Sequence, residues 1–305
     1  MSLSISRRLL DFATVHPNDR IAAQIERAGK EEPPNTELGR PTSLGLPKLS
    51  DLGHDLLETP PMTRWFVLTR PFLMAALYAV LFTIGWWPVA ILVTPLVYMT
   101  AGAALHDLLH HSLGVSPRLH GILLFLIGGL VLESGHTLQA THQVHHRKLH
   151  TAIDPEGYVD RYGHLRTLGE GPLYKHYLAC WVMRNRPHLR PWVVVEALWA
   201  QGVIVLALVV GWQIPVFGVY IALTVFGSWI FPYVGVKMVH NDPGDDVLQG
   251  TRTLRGALVN RLSCGLSFHL EHHLYPRVPG HKLHTLSQRL DGRFEKLNVT
   301  PTKTL

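Results

Sequence analysis

Cysteine is almost missing: the 305 residues include only two, Cys180 and Cys264, far apart in the chain. That excludes a disulfide framework, a CxxC zinc knuckle and an iron–sulfur spacing. Charge is also scarce, at 16% of residues, against roughly 25% in soluble domains. The N-terminal MSLSISRRLLDF has neither the apolar core nor the small-residue cleavage site of a secretory signal. The most informative absence is local. Lys and Arg are missing altogether from residues 71–117 and 191–236.

Long apolar runs fill those two gaps. PFLMAALYAVLFTIGWWPVAILVTPLVYMTAGAAL carries no charge until Asp107 and is interrupted by Gly85, Trp86, Trp87 and Pro88. The second run breaks at Gly211, Trp212 and Pro215, with Glu196 as its one charge. Each reads as two helices joined by a tight turn, the tryptophans lying at a lipid–water boundary. The fold expected is an all-α integral membrane protein with four transmembrane helices in two hairpins, spanning about 71–86, 88–105, 192–210 and 214–236. Such spans are short for a hydrocarbon core of about 30 Å, so the helices are expected to run on at their chain-terminal ends. Every Lys and Arg lies on the side opposite the hairpin tips. By the positive-inside rule both termini and the 106–190 segment are then cytoplasmic, in a bacterial inner membrane. A soluble protein burying four such segments would need a far larger shell.

Residues 1–64 are polar and read as a cytoplasmic tail that begins with a short amphipathic helix and continues through a stretch rich in Pro, Glu and Gly. Residues 65–285 form the membrane domain, and 286–305 read as a C-terminal tail. GILLFLIGGLVL, 121–132, is apolar but only a dozen residues long. It suits a re-entrant or interfacial helix better than a span. If it crossed, His106 and His142 would face opposite sides.

The chain has twenty histidines, and several fall in three clusters. HDLLHH (106–111) follows the first apolar pair, HQVHH (142–146) lies in the segment after it, and HLEHH (269–273) follows the second pair. HxxHH is expected by chance roughly 0.1 times in such a chain, and here it occurs twice. His106 and His110 are one helical turn apart. His142 and His146 share a face with His145 beside it, and His269, His272 and His273 repeat that arrangement. Such spacing aims several imidazoles at one point, as metal coordination requires. Eight are too many for one zinc and suit two metals, in a cytoplasmic helical cap. Imidazole accommodates Zn, Cu, Fe and Ni, so ligand type does not name the metal. Asp107 and Glu271 sit between histidines, off the ligand face. Each is expected to accept an N–H from a ligating imidazole and fix its tautomer. His136 and His150 flank the second cluster as surface or outer groups, and His120 is read as a loop residue.

The three clusters and their placement about two hairpins resemble the membrane fatty acid desaturase/hydroxylase superfamily over about residues 65–285. FHLEHHLYPRVPGHKL is particularly similar to the superfamily's third histidine box. The resemblance implies two non-haem irons, molecular oxygen as co-substrate, and a site over a tunnel for a long apolar chain. It also implies a ninth ligand, His240 in KMVHNDPG, and makes His111 a further possible one. Some relatives carry a water-holding Asn where this chain has Val236. DPEG, 154–157, is read as a turn packed on the site.

The expected reaction removes hydrogen from an unactivated C–H bond: loss of a second hydrogen gives an alkene, insertion of oxygen an alcohol. HExxH is absent, which argues against a zinc hydrolase. There is no GxGxxG fingerprint and no fused HPGG haem segment. Electrons are therefore expected from an external ferredoxin or cytochrome with its reductase. Arg147, Lys148, Arg161, Arg166, Lys175, Arg184, Arg186 and Arg190 offer a basic landing surface, or hold anionic lipid head groups. The substrate expected is an acyl lipid or thioester. A carotenoid ketolase or hydroxylase is the alternative, since its third box can also read HxEHH. A histidine-rich metal transporter is the alternative of another class, although transporters place polar ligands within broken mid-membrane helices. No feature points to nucleic acid.

Overall fold

The computed structural model describes residues 40–149, 151, 153–240 and 247–304. The amphipathic helix expected at the start of the chain, and His150, lie outside them. The long helices are α1 (Pro61–Thr83), α2 (Trp87–Leu109), α3 (Pro117–Leu130), α4 (Gly135–Lys148), α5 (His164–Asn185), α6 (Arg190–Val210) and α7 (Pro215–Phe231). A short α8 (His269–Leu274) and α9 (Leu283–Lys296) follow, and two-residue strands β1 (Leu254–Arg255) and β2 (Thr302–Lys303) pair in parallel.

Proline sets several of the starts. It occupies the first turn of α1, α2, α3, α6 and α7, where its missing N–H costs nothing. α1 therefore begins at the Pro60-Pro61 pair rather than near residue 71; its first turns carry Arg64 and Arg70, which a search for charge-free runs leaves out. α1 and α2 have 23 residues each, about 35 Å at 1.5 Å per residue. They exceed the apolar thickness of a bilayer, as expected of helices that run on.

Among the described residues, four helical stretches are long and apolar enough to cross a membrane: His54–Thr83, Trp87–Leu109, Pro187–Val210 and Pro215–Lys237. Their outer faces expose Leu77, Leu92, Leu198, Leu208 and Phe226, while Trp86, Trp87 and Trp212 stand exposed at the turns. So continuous an apolar surface is the mark of a lipid-facing protein. Inside, small residues on α2 (Ala101, Ala104) let neighbouring helices close in around Leu68, Leu105 and Leu124. Tyr78 of α1 donates to the Val216 carbonyl at 2.9 Å, and Tyr220 of α7 donates to that of Leu130, also at 2.9 Å.

The chain bends sharply after the 121–132 segment. α3 and α4 meet at 103° across a four-residue break. Gly135 makes the bend possible, because a Cβ there would lie 2.4 Å from the Leu124 carbonyl oxygen. Ser134 caps α4, accepting from the Thr137 amide at 3.2 Å. α7 ends in a six-residue π-helical turn, Pro232–Lys237, which delivers His240.

The two polar tails are corrected in part. Leu46, Leu49 and Leu56 pack with Leu283, Leu286, Leu290 and Phe294 in one core. The chain from Leu46 on, and α9, are thus folded against each other and against α8, because α9 carries an apolar stripe at helical spacing. Tyr275 donates to the Pro47 carbonyl at 2.7 Å and Arg289 pairs with Asp55 at 2.8 Å, tying the ends together.

Candidate metal centre

Three helix ends and the π-turn converge. His106 and His110, at the end of α2, meet His142 of α4 and His272 of α8. Beside them His145 of α4 meets His240, His269 and His273. Within each group one nitrogen per ring lies within 4.8 Å of the others. His146 stands between the groups: its Nε2 is 3.1 Å from that of His142 and 2.9 Å from that of His272, and its ring stacks on His273 at 4.2 Å. The structure thus brings together eight of the nine histidines of the three clusters, all but His111, and His240.

The nitrogens fit a cation. His142 Nδ1 faces Glu156 Oε2 at 2.9 Å, and His145 Nδ1 faces Asp154 Oδ2 at 2.8 Å. His240 Nδ1 faces the Val236 carbonyl at 3.0 Å and Asp160 at 3.4 Å. Each acceptor takes the Nδ1 proton, so Nε2 is the nitrogen aimed inward, a lone pair where the ring is neutral and, on His145, one that a metal would free by displacing the second proton. His240 Nε2 then lies 3.2 Å from His269 Nε2 and 3.4 Å from His273 Nε2. Both nitrogens of His106, Nε2 of His110 and Nδ1 of His272 have no hydrogen-bond partner among the described residues. Converging buried lone pairs repel one another and leave polar atoms unsatisfied unless a positive ion sits among them. The donor set therefore suits metal ions.

Burial, reinforced by the neighbouring imidazoles, holds His110, His146, His269, His272 and His273 well below the usual histidine range. They are neutral, the form that coordinates. His145 differs: burial lowers it, but the Asp154, Glu156 and Asp160 carboxylates outweigh that and push it up to about 9. Asp154 moves the opposite way, burial raising it and His145 with two backbone amides bringing it below its usual value.

The orienting acids are not those expected. Asp107 accepts from the Gly280 amide at 2.8 Å and from Ser112 at 3.3 Å, pinning α2 to the turn after α8. Glu271 accepts from Arg255 at 3.1 Å, and Arg255 also pairs with Asp291. Both acids point off the histidine face, and neither reaches an imidazole. Glu156, Asp154 and the Val236 carbonyl take that role instead. Two of the three come from the DPEG turn, where Asp154 Oδ1 accepts the Glu156 and Gly157 amides at 3.0 Å each.

His111 also lies apart. It adopts positive φ past the end of α2 and stacks on His120 at 4.2 Å, and Gln139 bridges the two rings at 3.1 and 2.8 Å. His120 is buried within α3 rather than in a loop, and His136 is buried rather than at the surface. His136 pairs with Glu196 at 2.7 Å and stacks on Trp192, giving the one acid of the second apolar run its partner.

The family model described as Fatty acid desaturase matches residues 83–304. No curated protein matches the chain.

Proposed function

Since the chain belongs to the fatty acid desaturase family, an oxidoreductase family of membrane proteins, we propose that it is a diiron, O2-dependent oxidase acting on C–H bonds of a long apolar chain. A fatty acyl desaturase is the leading reading, a hydroxylase the nearest variant. The observation that carries it is the pair of four-histidine groups with His146 between them, at the ends of helices long and apolar enough to cross a membrane.

When bound at His106, His110, His142 and His272, and at His145, His240, His269 and His273, two irons with His146 beside them would supply the oxidising power for hydrogen abstraction. The chain's own residues do the rest. Glu156, Asp154 and the Val236 carbonyl hold Nδ1–H protons, so that Nε2 stays free on His142, His145 and His240. The apolar packing of α2, α3 and α4 around Leu105, Leu108 and Leu124 keeps the inner side of the histidines dry. Desaturation balances when two substrate hydrogens and two donor electrons, with two protons, reduce O2 to two waters. An external ferredoxin or cytochrome would supply those electrons, docking at basic side chains such as Arg147, Arg184 and Arg186 on the cytoplasmic side. A carotenoid substrate would use the same histidines.

The test is mass spectrometry of lipids and pigments from a host expressing the protein with a compatible reductase, with His272→Ala as blank. An acyl species lighter by two hydrogens means desaturation, and one heavier by an oxygen means hydroxylation. Either product in a carotenoid would move the substrate assignment. Full activity in His272→Ala would remove the histidine groups from the chemistry.

A further inference from the structure

One side of the first histidine group is not sealed. A cavity of about 260 Å³, open to the outside, is lined by Leu57, His110, His111, Ser112, Gly114 and Arg277. Its inner wall is the ring of His110, a member of the metal group, which keeps partial exposure there. No acidic residue lines it. Arg277 is exposed and, among the described residues, enters no hydrogen bond or ion pair. Arg64, from the first turn of α1, brings its guanidinium against the Gly114 wall, where a Cβ would lie 3.4 Å from its terminal nitrogen. Its Nε is buried without a hydrogen-bond partner.

Arg277 in the cavity lining and Arg64 against its Gly114 wall offer guanidinium donors to an anion, because Arg presents a planar fork that matches carboxylate or phosphate oxygens. His111 and Ser112 add polar atoms at the rim. The volume is below the 300–1,000 Å³ or so of a pocket that swallows a whole ligand. It suits a head group rather than a chain. Next to Arg64, α1 exposes Met62, Trp65 and Phe66, an apolar face of the kind that lies at a membrane boundary. We propose that this cavity seats the anionic end, phosphate or carboxylate, of a lipid-chain ligand on Arg277, with Arg64 as the second cation beside the Gly114 wall and His110 alongside. The assignment of that ligand as substrate rests on the oxidase reading above; the anion site itself does not.

The test measures binding rather than turnover. Iron-loaded full-length protein in neutral maltoside detergent is titrated by calorimetry with dodecyl phosphate, dodecanoate, dodecanol and inorganic phosphate. Dodecyl phosphate or dodecanoate is expected to bind at least about tenfold tighter than dodecanol, the scale of one charge-assisted hydrogen bond. Arg277→Gln and Arg64→Gln should each remove about that factor, with iron content and melting temperature unchanged. Arg277→Lys, on an exposed side chain, should keep part of the discrimination and guards against a folding defect at Arg64. Arg293→Gln, exposed on α9 outside the cavity, should leave binding as it was. Unchanged affinity in both Arg→Gln variants would overturn the proposal, because the anion would then bind elsewhere, the irons included. An equal loss in Arg293→Gln would overturn it as general electrostatics. Inorganic phosphate binding as well as dodecyl phosphate would overturn the lipid assignment and leave a site for free phosphate. Lost discrimination with lipid oxidation intact refutes the substrate role alone, whereas intact anion binding without any lipid product refutes the oxidase reading.

Discussion

Asp154→Asn replaces one oxygen by an NH2 group of nearly the same size, and the structure dictates which way the new amide must face. Oδ1 of Asp154 accepts two backbone amides, from Glu156 and Gly157, at 3.0 Å each, while Oδ2 faces His145 Nδ1 at 2.8 Å. Backbone amides only donate. The Asn oxygen must therefore stay with them, and its NH2 is aimed at His145. If His145 keeps its proton on Nδ1, two donors face each other in a site where Asp154 is 2% exposed, at a cost of about 1–3 kcal/mol. If the proton moves to Nε2, the bond is restored but the nitrogen that serves the second histidine group is covered. Either way that group loses a ligand. Loss of an orienting partner lowers metal affinity by about 10–100-fold, equivalent to about 1.4–2.7 kcal/mol.

Glu156→Gln should be milder, for an equally concrete reason. Glu156 accepts from Thr141 at 2.7 Å and from His142 at 2.9 Å. The Thr141 hydroxyl has alternative acceptors in the Thr137 and Leu138 carbonyls, so it can instead accept from the Gln amide. That leaves the Gln oxygen for His142, and only the charge is lost. Anaerobic Fe(II) titration against a competing chelator, with iron counted per chain, reads the comparison. One of two binding steps should weaken in Asp154→Asn, and by more than either step in Glu156→Gln. Two irons held with unaltered affinity in Asp154→Asn would refute the orientation argument, as would the reverse order of the two variants.

His111→Gln should retain two irons per chain by the same titration, because that ring faces His120 and Gln139 rather than the metal groups. Leu286→Ala, at a position of α9 with no exposure, in the core shared with the N-terminal segment, should cost about 2–5 kcal/mol, read as a lower unfolding temperature in detergent. Gly135→Ala forces a Cβ to within 2.4 Å of the Leu124 carbonyl oxygen; overpacking of this kind costs about 1–3 kcal/mol, and opening of the α3–α4 bend should appear as reduced iron content in the folded fraction.

The helices and the histidine clusters are legible because each is a local pattern. Apolar runs broken by Gly-Trp-Pro mark α2, α6 and α7, and i, i+3, i+4 spacing marks the imidazoles. The orienting acids are not legible from neighbourhood. Asp107 and Glu271 adjoin histidines in sequence, yet a helix turns each of them away from its neighbours' face, toward Gly280 and Arg255. Asp154 and Glu156 act on His145 and His142 because the chain folds back after α4. Only DPEG, with its turn-forming Asp and Gly, marks the place in advance. The folded ends are a different case. Leu283, Leu286, Leu290 and Phe294 recur at helical spacing and are buried as that spacing requires, but the rest of the segment is polar enough to read as a tail. Their partners, Leu46, Leu49 and Leu56, lie more than two hundred residues away and show no periodicity.

The two spacings also carry the number of histidine groups. At 3.6 residues per turn successive side chains are rotated by about 100°, so i and i+4 differ by about 40° while i+3 and i+4 differ by about 100°. HxxxH therefore aims two imidazoles at one place, and His106 with His110 serve one group, as His269 with His273 serve the other. HxxHH adds a third ring pointing elsewhere. In α8 that ring is His272, which leaves the group of His269 and His273 for that of His106. In α4, His142 and His145 divide between the groups and His146 stands between them. A helix end carrying HxxHH can thus contribute to two histidine groups at once without a kink. Two such helices, met by HxxxH at the end of α2 and by His240 from the π-turn, are enough to build both groups.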